Sequence, residues 1–289
     1  MSRPIKKTRK TWSTAVTEEE KKFIPCTLCG GLSFKPSLFC EGFSFVKCTG
    51  CGLVQMNPQP VEKEIYQRYG ERYGNDYLAY ELANEEAFLK LQLLALEDAG
   101  FNDIEINGNA RLLDIGCAVG SVLVRLGERG WKTTGVEISA PQAEYARQKR
   151  SLDVRSLSLA ENNFPTASFD VVMASHIIEH INDPAGLVRE VHRILAPGGR
   201  FFITTPNIAG FQAKLFGSRW RSAIFDHLYL FSTKTLSHLL VENGFTTEKT
   251  VTWGGLAEGL APAPLKRIMD KAAKRFGSGD VMIIKVKKL

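Results

Sequence analysis

From residue 110 onward, short apolar runs alternate with amphipathic stretches. "ARLLDIG", "WKTTGVEIS", "FDVVMAS", "RFFITTP", "FTTEKTVTW" and "VMIIKVK" read as strands. "FDVVMAS" is apolar enough to be buried on both faces of a parallel sheet. Helices are predicted between them. One starts at Pro141. A second has Asp183 as its cap and Pro184 in its first turn, runs to about Leu195 and ends at "PGG". A third opens at Ser232 and is closed by Gly244. These six runs with helices between them point to an α/β doubly wound sheet of seven strands. Residues 61–99 read as helical. "EEAFLKLQLLALEDAG" puts Phe88, Leu91, Leu94 and Ala95 on one face, and Gly100 is a stop. Tyr66, Tyr69, Tyr73, Tyr77 and Tyr80 form a helical stripe, either packing against the main domain or walling a pocket. A Gly/Pro-rich insert and a basic helix near 264–276 separate the last two strands.

Composition narrows the class. The chain has 289 residues, 44% hydrophobic and 24% charged, ordinary for one large domain plus a small one. No apolar run approaches the ~18 residues of a membrane span, and no apolar segment follows the basic N-terminus to make a secretory signal. The six cysteines are accordingly expected in a reducing, cytoplasmic compartment, where paired thiols bind metal rather than form disulfides. The net charge of +6 is concentrated: Arg3, Lys6, Lys7, Arg9 and Lys10 lie in the first ten residues without an acid. That arm is either a solvated tail or a reader of phosphate backbones.

Two Cys-x-x-Cys pairs, Cys26/Cys29 and Cys48/Cys51, are separated by 18 residues, a spacing that suits a zinc ribbon. Glycines follow each pair, and Phe39, Phe43, Phe45 and Val46 suggest a hairpin packed over the metal. The domain reading is therefore a basic flexible tail (1–21), a zinc ribbon (22–60), a helical connector or lid (61–105) and the main α/β domain (106–289), with "NPQP" as linker.

"LLDIGCAVGS" joins the first strand of the main domain to its first helix. Gly116 and Gly120 permit a tight turn and close ligand approach. The three-glycine dinucleotide rule fails, because Ala118 and Ser121 hold its second and third positions. Asp114 would repel a pyrophosphate and welcome a cation. Glu137 ends the second strand, 21 residues after Gly116, where an acid accepts hydrogen bonds from ribose hydroxyls.

With "GVEIS", "SLAENNFPTASFDVVMASHIIEHINDP", "REVHRILAPGGRFFITTPN" and "DHLYLFSTKTLSHLLVENGF", this loop resembles class I S-adenosylmethionine-dependent methyltransferases over roughly residues 110–246. The resemblance implies a seven-stranded Rossmann-like sheet. It further implies that Asp114, Gly116, Cys117 and Gly120 hold the cofactor's amino-acid end, and Glu137 with Ile138 its ribose. Ala160 and Glu161 would flank the adenine, and Ser175 and His176 would line the floor. Leu159 stands where relatives often carry an adenine-binding acid. An N-terminal zinc ribbon is similar to that of sugar and surface-polysaccharide methyltransferases, implying a small-molecule or sugar-like, nucleotide-linked acceptor.

Methyl transfer to oxygen or carbon needs a base, and His176, His180 and His227 are the catalytic candidates. His180 could equally pack a helix end, and His227 could be a core histidine. Arg219, Trp220 and Arg221 suit an anionic acceptor. Glu179, His180 and His227 resemble the Glu-x-x-Glu-His…His metal set of some O-methyltransferases, with His176 in place of the first acid. Two other readings stand beside the small-molecule enzyme: an RNA or protein methyltransferase reading its target through ribbon and tail, and a non-catalytic cofactor-binding partner.

Overall fold

The computed structural model describes residues 21–40, 42–60, 71–105, 108–255 and 262–289, with backbone alone at 71–73. The basic arm, Tyr66 and Tyr69 lie outside these residues.

A hairpin forms between the cysteine pairs, from β2 (Phe34–Cys40) and β3 (Phe43–Cys48). β1 (Lys21–Lys22) pairs with β5 (Gln59–Pro60), so part of the "NPQP" stretch is strand rather than irregular linker. A long helix, α1 (Glu71–Asp98), leads to the main sheet. The sheet strands are β6 (Arg111–Ile115), β7 (Lys132–Val136), β8 (Val154–Arg155), β9 (Phe169–Ser175), β10 (Leu195–Pro206), β12 (Phe245–Trp253) and β13 (Val281–Lys288), ordered β12-β13-β10-β9-β6-β7-β8. β13 is antiparallel to both neighbours, while β10, β9, β6, β7 and β8 run parallel. The strand that the sequence pattern does not reveal is β8, whose two residues are too few to show a period.

The helices are α2 (Ser121–Gly127), α3 (Ala140–Arg150), α4 (Pro184–Ile194), α5 (Phe211–Phe216), α6 (Thr233–Glu242) and α7 (Ala263–Arg275). Asp183 caps α4, accepting from the Gly186 N–H at 2.8 Å, and Ser232 forms a capping box with Thr235 on α6. "PGG" does not end α4 in a turn but lies inside β10.

Strand alternation divides the core by face. Val171 and Met173 of β9 pack with Leu112, Phe202 and Ile283 under α1, α2 and α3. Val172 and Ala174 point the other way, with Leu113, Phe201 and Ile203, under α4 and α6. The cysteine-bearing hairpin joins this second face: Phe45, Leu53, Val54 and Met56 are buried in the same apolar cluster as α4 and α6. Of the hairpin phenylalanines, Phe45 is the anchor, while Phe39 is 63% exposed.

The join also runs through backbone. β4 (Val54–Met56) pairs with β11 (Tyr229–Leu230), completing a four-stranded sheet β11-β4-β3-β2. Met56 donates its N–H to Leu228 O at 2.8 Å, and Leu228 donates its own to Glu179 O at 2.7 Å. The elements around the cysteines are thereby tied to the loop after β9.

Candidate functional site

The four paired cysteines converge. Cys26 and Cys51 Sγ are 3.4 Å apart, Cys29 and Cys48 Sγ 3.5 Å, and one sulfur from each lies within 4.8 Å of the rest. A zinc–sulfur bond of about 2.3 Å requires tetrahedral edges of about 3.8 Å, so the donor set fits a zinc ion. Cys40 stays outside it, donating to Ala223 O. Burial drives the Cys26 thiol up. At Cys48 burial is outweighed by N–H groups of Cys51 and Gly50 and by the neighbouring thiols, and its thiol falls to about 7.

The glycine loop follows β6. Gly116 has φ of +74°, and a Cβ there would sit 2.1 Å from Ile177 Cδ1. Gly120 has φ of +78°, and its Cβ would meet Leu152 Cδ1 at 2.3 Å. Asp114, at the end of β6, is buried; burial first and the Glu137 charge second raise its carboxyl to about 8. Glu137 accepts the N–H groups of Ala118 at 2.9 Å and Ser139 at 2.8 Å, while burial pushes its carboxyl up. Ile138 is half-buried beside it. Cys117 packs its side chain into the core against Gly135, so the loop face it offers a ligand is backbone. In the segment after β8, Leu159 is buried, whereas Ala160 and Glu161 are exposed and Glu161 accepts from Ser158.

One site residue escapes sequence reasoning. Glu81, on α1, reaches the loop and accepts the Val119 N–H at 3.3 Å. Its neighbours on the helix explain the approach. Gly74 lets α1 pass within van der Waals contact of Pro141 and Ser139, and Glu85 is held by Ser121 at 2.9 Å and Arg150 at 2.7 Å. The tyrosine stripe conceals this face, since Tyr77 and Tyr80 are exposed and stack on each other and on Phe88. The only signal in the sequence is one acid seven residues after Gly74 and four before Glu85.

The histidines gather around Glu179 at the C-terminal ends of the parallel strands. Ser175 ends β9, half-buried, and His176 follows with φ of +58°. His176 Nδ1 lies 3.1 Å from Glu179 Oε1, and Thr205 donates its hydroxyl to Glu179 Oε2 at 2.9 Å. Burial alone would raise this carboxyl. The His176 hydrogen bond and the surrounding imidazoles override it and take it to about 2, so Glu179 is ionised. His180 Nδ1 donates to Asp226 O at 2.9 Å and His227 Nδ1 to Ser222 O at 2.8 Å, with ring centroids 4.8 Å apart. Burial, partly offset by Glu179, lowers His227 to about 4. Donation from Nδ1 leaves each Nε2 an acceptor, and one ligand atom each of Glu179, His180 and His227 lies within 4.8 Å of the others.

Trp220 and Arg221, expected to greet an acceptor, are otherwise engaged: both bond the buried carboxylate of Asp280, and Trp220 is in the core. Arg219 remains exposed.

A parallel sheet with one antiparallel strand, a glycine loop after the first strand of that sheet in the chain and an acid following the next define a methyltransferase-type fold. Residues 80–250 match the family model described as "Methyltransferase domain", and the chain belongs to that family. It is 32% identical over 159 residues to 27-O-demethylrifamycin SV methyltransferase of Amycolatopsis mediterranei, covering 51% of this chain and 57% of that protein. It is also 32% identical over 104 residues to the ubiquinone biosynthesis O-methyltransferase of Pseudomonas aeruginosa, covering 34% and 44%. The chain thus spans about half the length of these curated relatives. A solved structure described as a possible histamine N-methyltransferase of Thermotoga maritima superposes with a TM-score of 0.58 at 23% identity, covering 78% of this chain and 100% of that one.

Proposed function

We propose that the chain is an S-adenosylmethionine-dependent methyltransferase acting on a small-molecule or sugar-like acceptor. The observation that carries this reading is the pair of buried carboxylates, Asp114 and Glu137, flanking a glycine cradle that side chains would fill. Such a site favours a cationic nucleoside over a pyrophosphate. When bound, the cofactor supplies an electrophilic methyl group with a neutral leaving group. Asp114 and the Gly116–Gly120 loop would hold its amino-acid end, and Glu137 with Ile138 its ribose. Leu159 offers an apolar surface for the base, a role that suits it better than the outward-facing Ala160 and Glu161.

His176 acts on the acceptor. Ionised Glu179 holds the proton on His176 Nδ1, leaving Nε2 free to take a proton from an acceptor hydroxyl. His176 is half-exposed at the strand ends, where ligands of such sheets gather. The relatives' names describe small-molecule methylation, in keeping with this assignment. A second reading of the same corner is favoured by the Nδ1 bonds of His180 and His227: with Glu179 they would hold a divalent ion, and the acceptor would be oriented there. The four cysteines bind structural zinc, and their hairpin buttresses the acceptor side through Leu228.

The test is calorimetric binding of S-adenosylhomocysteine, followed by transfer of labelled methyl from S-adenosylmethionine to a panel of phenols and nucleotide-linked sugars, with and without added divalent ions. Micromolar binding and transfer to one class are expected. No binding at millimolar ligand would refute the reading.

A further inference from the structure

The glycine loop is faced by three carboxylates rather than two. Asp114 and Glu137 come from the sheet, and Glu81 descends from α1. The buried Cys117 between them feels the negative charge of all three. Glu81 is 9% exposed, and only one of its oxygens is used, on the Val119 N–H. The other, Oε2, is buried without a hydrogen-bond partner among the described residues. Leaving a carboxylate oxygen in that state is costly unless something completes it. Arg150, whose charge acts on Glu81, is hydrogen-bonded to Glu85 and the Ser121 hydroxyl instead. Among the described residues no Lys or Arg forms an ion pair with Asp114, Glu137 or Glu81. Burial, reinforced by Glu137 and Glu85 and opposed by the Val119 N–H and Arg150, raises Glu81 to about 7, the signature of a carboxylate short of positive charge.

We propose that Glu81 is a cofactor-binding residue whose carboxylate receives a cationic centre of the bound S-adenosyl compound, making α1 a working wall of the site. The proposal rests on the methyltransferase reading of the glycine loop. Such a ligand carries two candidate cations, the α-ammonium and the sulfonium, and the same chemistry would recognise either.

The test compares wild type with Glu81→Gln by calorimetry on three probes. S-adenosylmethionine carries both cations, S-adenosylhomocysteine the ammonium alone, and 5′-methylthioadenosine neither. The variant keeps the shape and the Val119 hydrogen bond and removes the charge. S-adenosylmethionine affinity should fall about tenfold or more, the range for losing a hydrogen bond to a charged group. Affinity for 5′-methylthioadenosine should stay within about twofold. An equal loss on S-adenosylmethionine and S-adenosylhomocysteine assigns the ammonium, and a loss confined to S-adenosylmethionine assigns the sulfonium. Unchanged affinity for both, or an equal loss on all three probes, overturns the proposal. Wild type that binds none of the three overturns the cofactor reading beneath it. Should Glu81→Gln fail to fold, Glu81→Ala carries the same comparison.

Discussion

Gly116 offers the sharpest test of how the loop is built. A Cβ at this position meets two costs. The φ of +74° is left-handed, which costs an L-residue about 1–2 kcal/mol. The added carbon would also sit 2.1 Å from Ile177 Cδ1 and 2.9 Å from Cγ1. Ile177 must then move, and overpacking of this kind costs about 1–3 kcal/mol. Gly116→Ala should therefore lose about 2–5 kcal/mol, or about 5–15 °C in Tm for a domain of this size. Gly130→Ala is the control: its φ is +93°, but nothing lies within 4 Å of the new carbon, so only the backbone cost applies. Urea unfolding of both variants gives the difference directly. Because Ile177 directly follows His176, Gly116→Ala should also weaken S-adenosylhomocysteine binding and disturb the candidate base, whereas Gly130→Ala should leave binding intact. Equal destabilisation of the two variants would refute the packing argument, and unchanged binding in Gly116→Ala would refute the cradle.

Other outcomes follow from the same geometry. Asp114 carries a native carboxyl raised from 3.8 to about 8, so the folded state holds a proton that the unfolded state has released. Stability is therefore lost as pH rises from about 4 through about 8. His227 titrates in the opposite sense below about 6.5, Glu81 in the same sense up to about 7 and metal-free Cys48 in the opposite sense above it, so the Asp114 share is read from zinc-loaded protein as the difference from Asp114→Asn. Urea midpoints of the ligand-free protein should fall from about pH 6.5 to 8.5, and a flat profile would remove Asp114 as the cause. Purified protein should contain one zinc per chain by metal analysis, and Cys26→Ser should lower that content while reducing the Tm of the whole domain. His176→Asn should lower kcat by about 100-fold or more and leave S-adenosylhomocysteine binding within about twofold. A parallel loss of binding would make His176 a structural residue instead.

Legibility of the sequence followed length and period. β9 and β10 declare themselves through long apolar runs, and the caps of α4 and α6 through Asp183 and Ser232. Val154–Arg155 is too short to show alternation, and "PGG" reads as a terminator although the chain passes through it into β10. The cysteines and the glycine loop could be found because metal binding and tight turns impose local spacing. Glu81 could not, since its meaning comes from a helix crossing a loop about forty residues away in the chain. Trp220 and Arg221 carried a chemistry that suited a ligand, but Asp280, sixty residues on from the tryptophan, claims them.

The two backbone hydrogen bonds from Met56 through Leu228 to Glu179 bear on how this protein can be shortened. A fragment starting after residue 60 would retain all of the matched family region, yet it would strip β11 of its partner and remove Phe45 and Met56 from the core. An orphaned strand edge beside a fresh apolar hollow is a template for aggregation. Expression trials should accordingly find the shortest fragment that stays in solution to include the hairpin, so that the cysteine-bearing segment travels with this domain as an inseparable part and cannot be traded as a cassette.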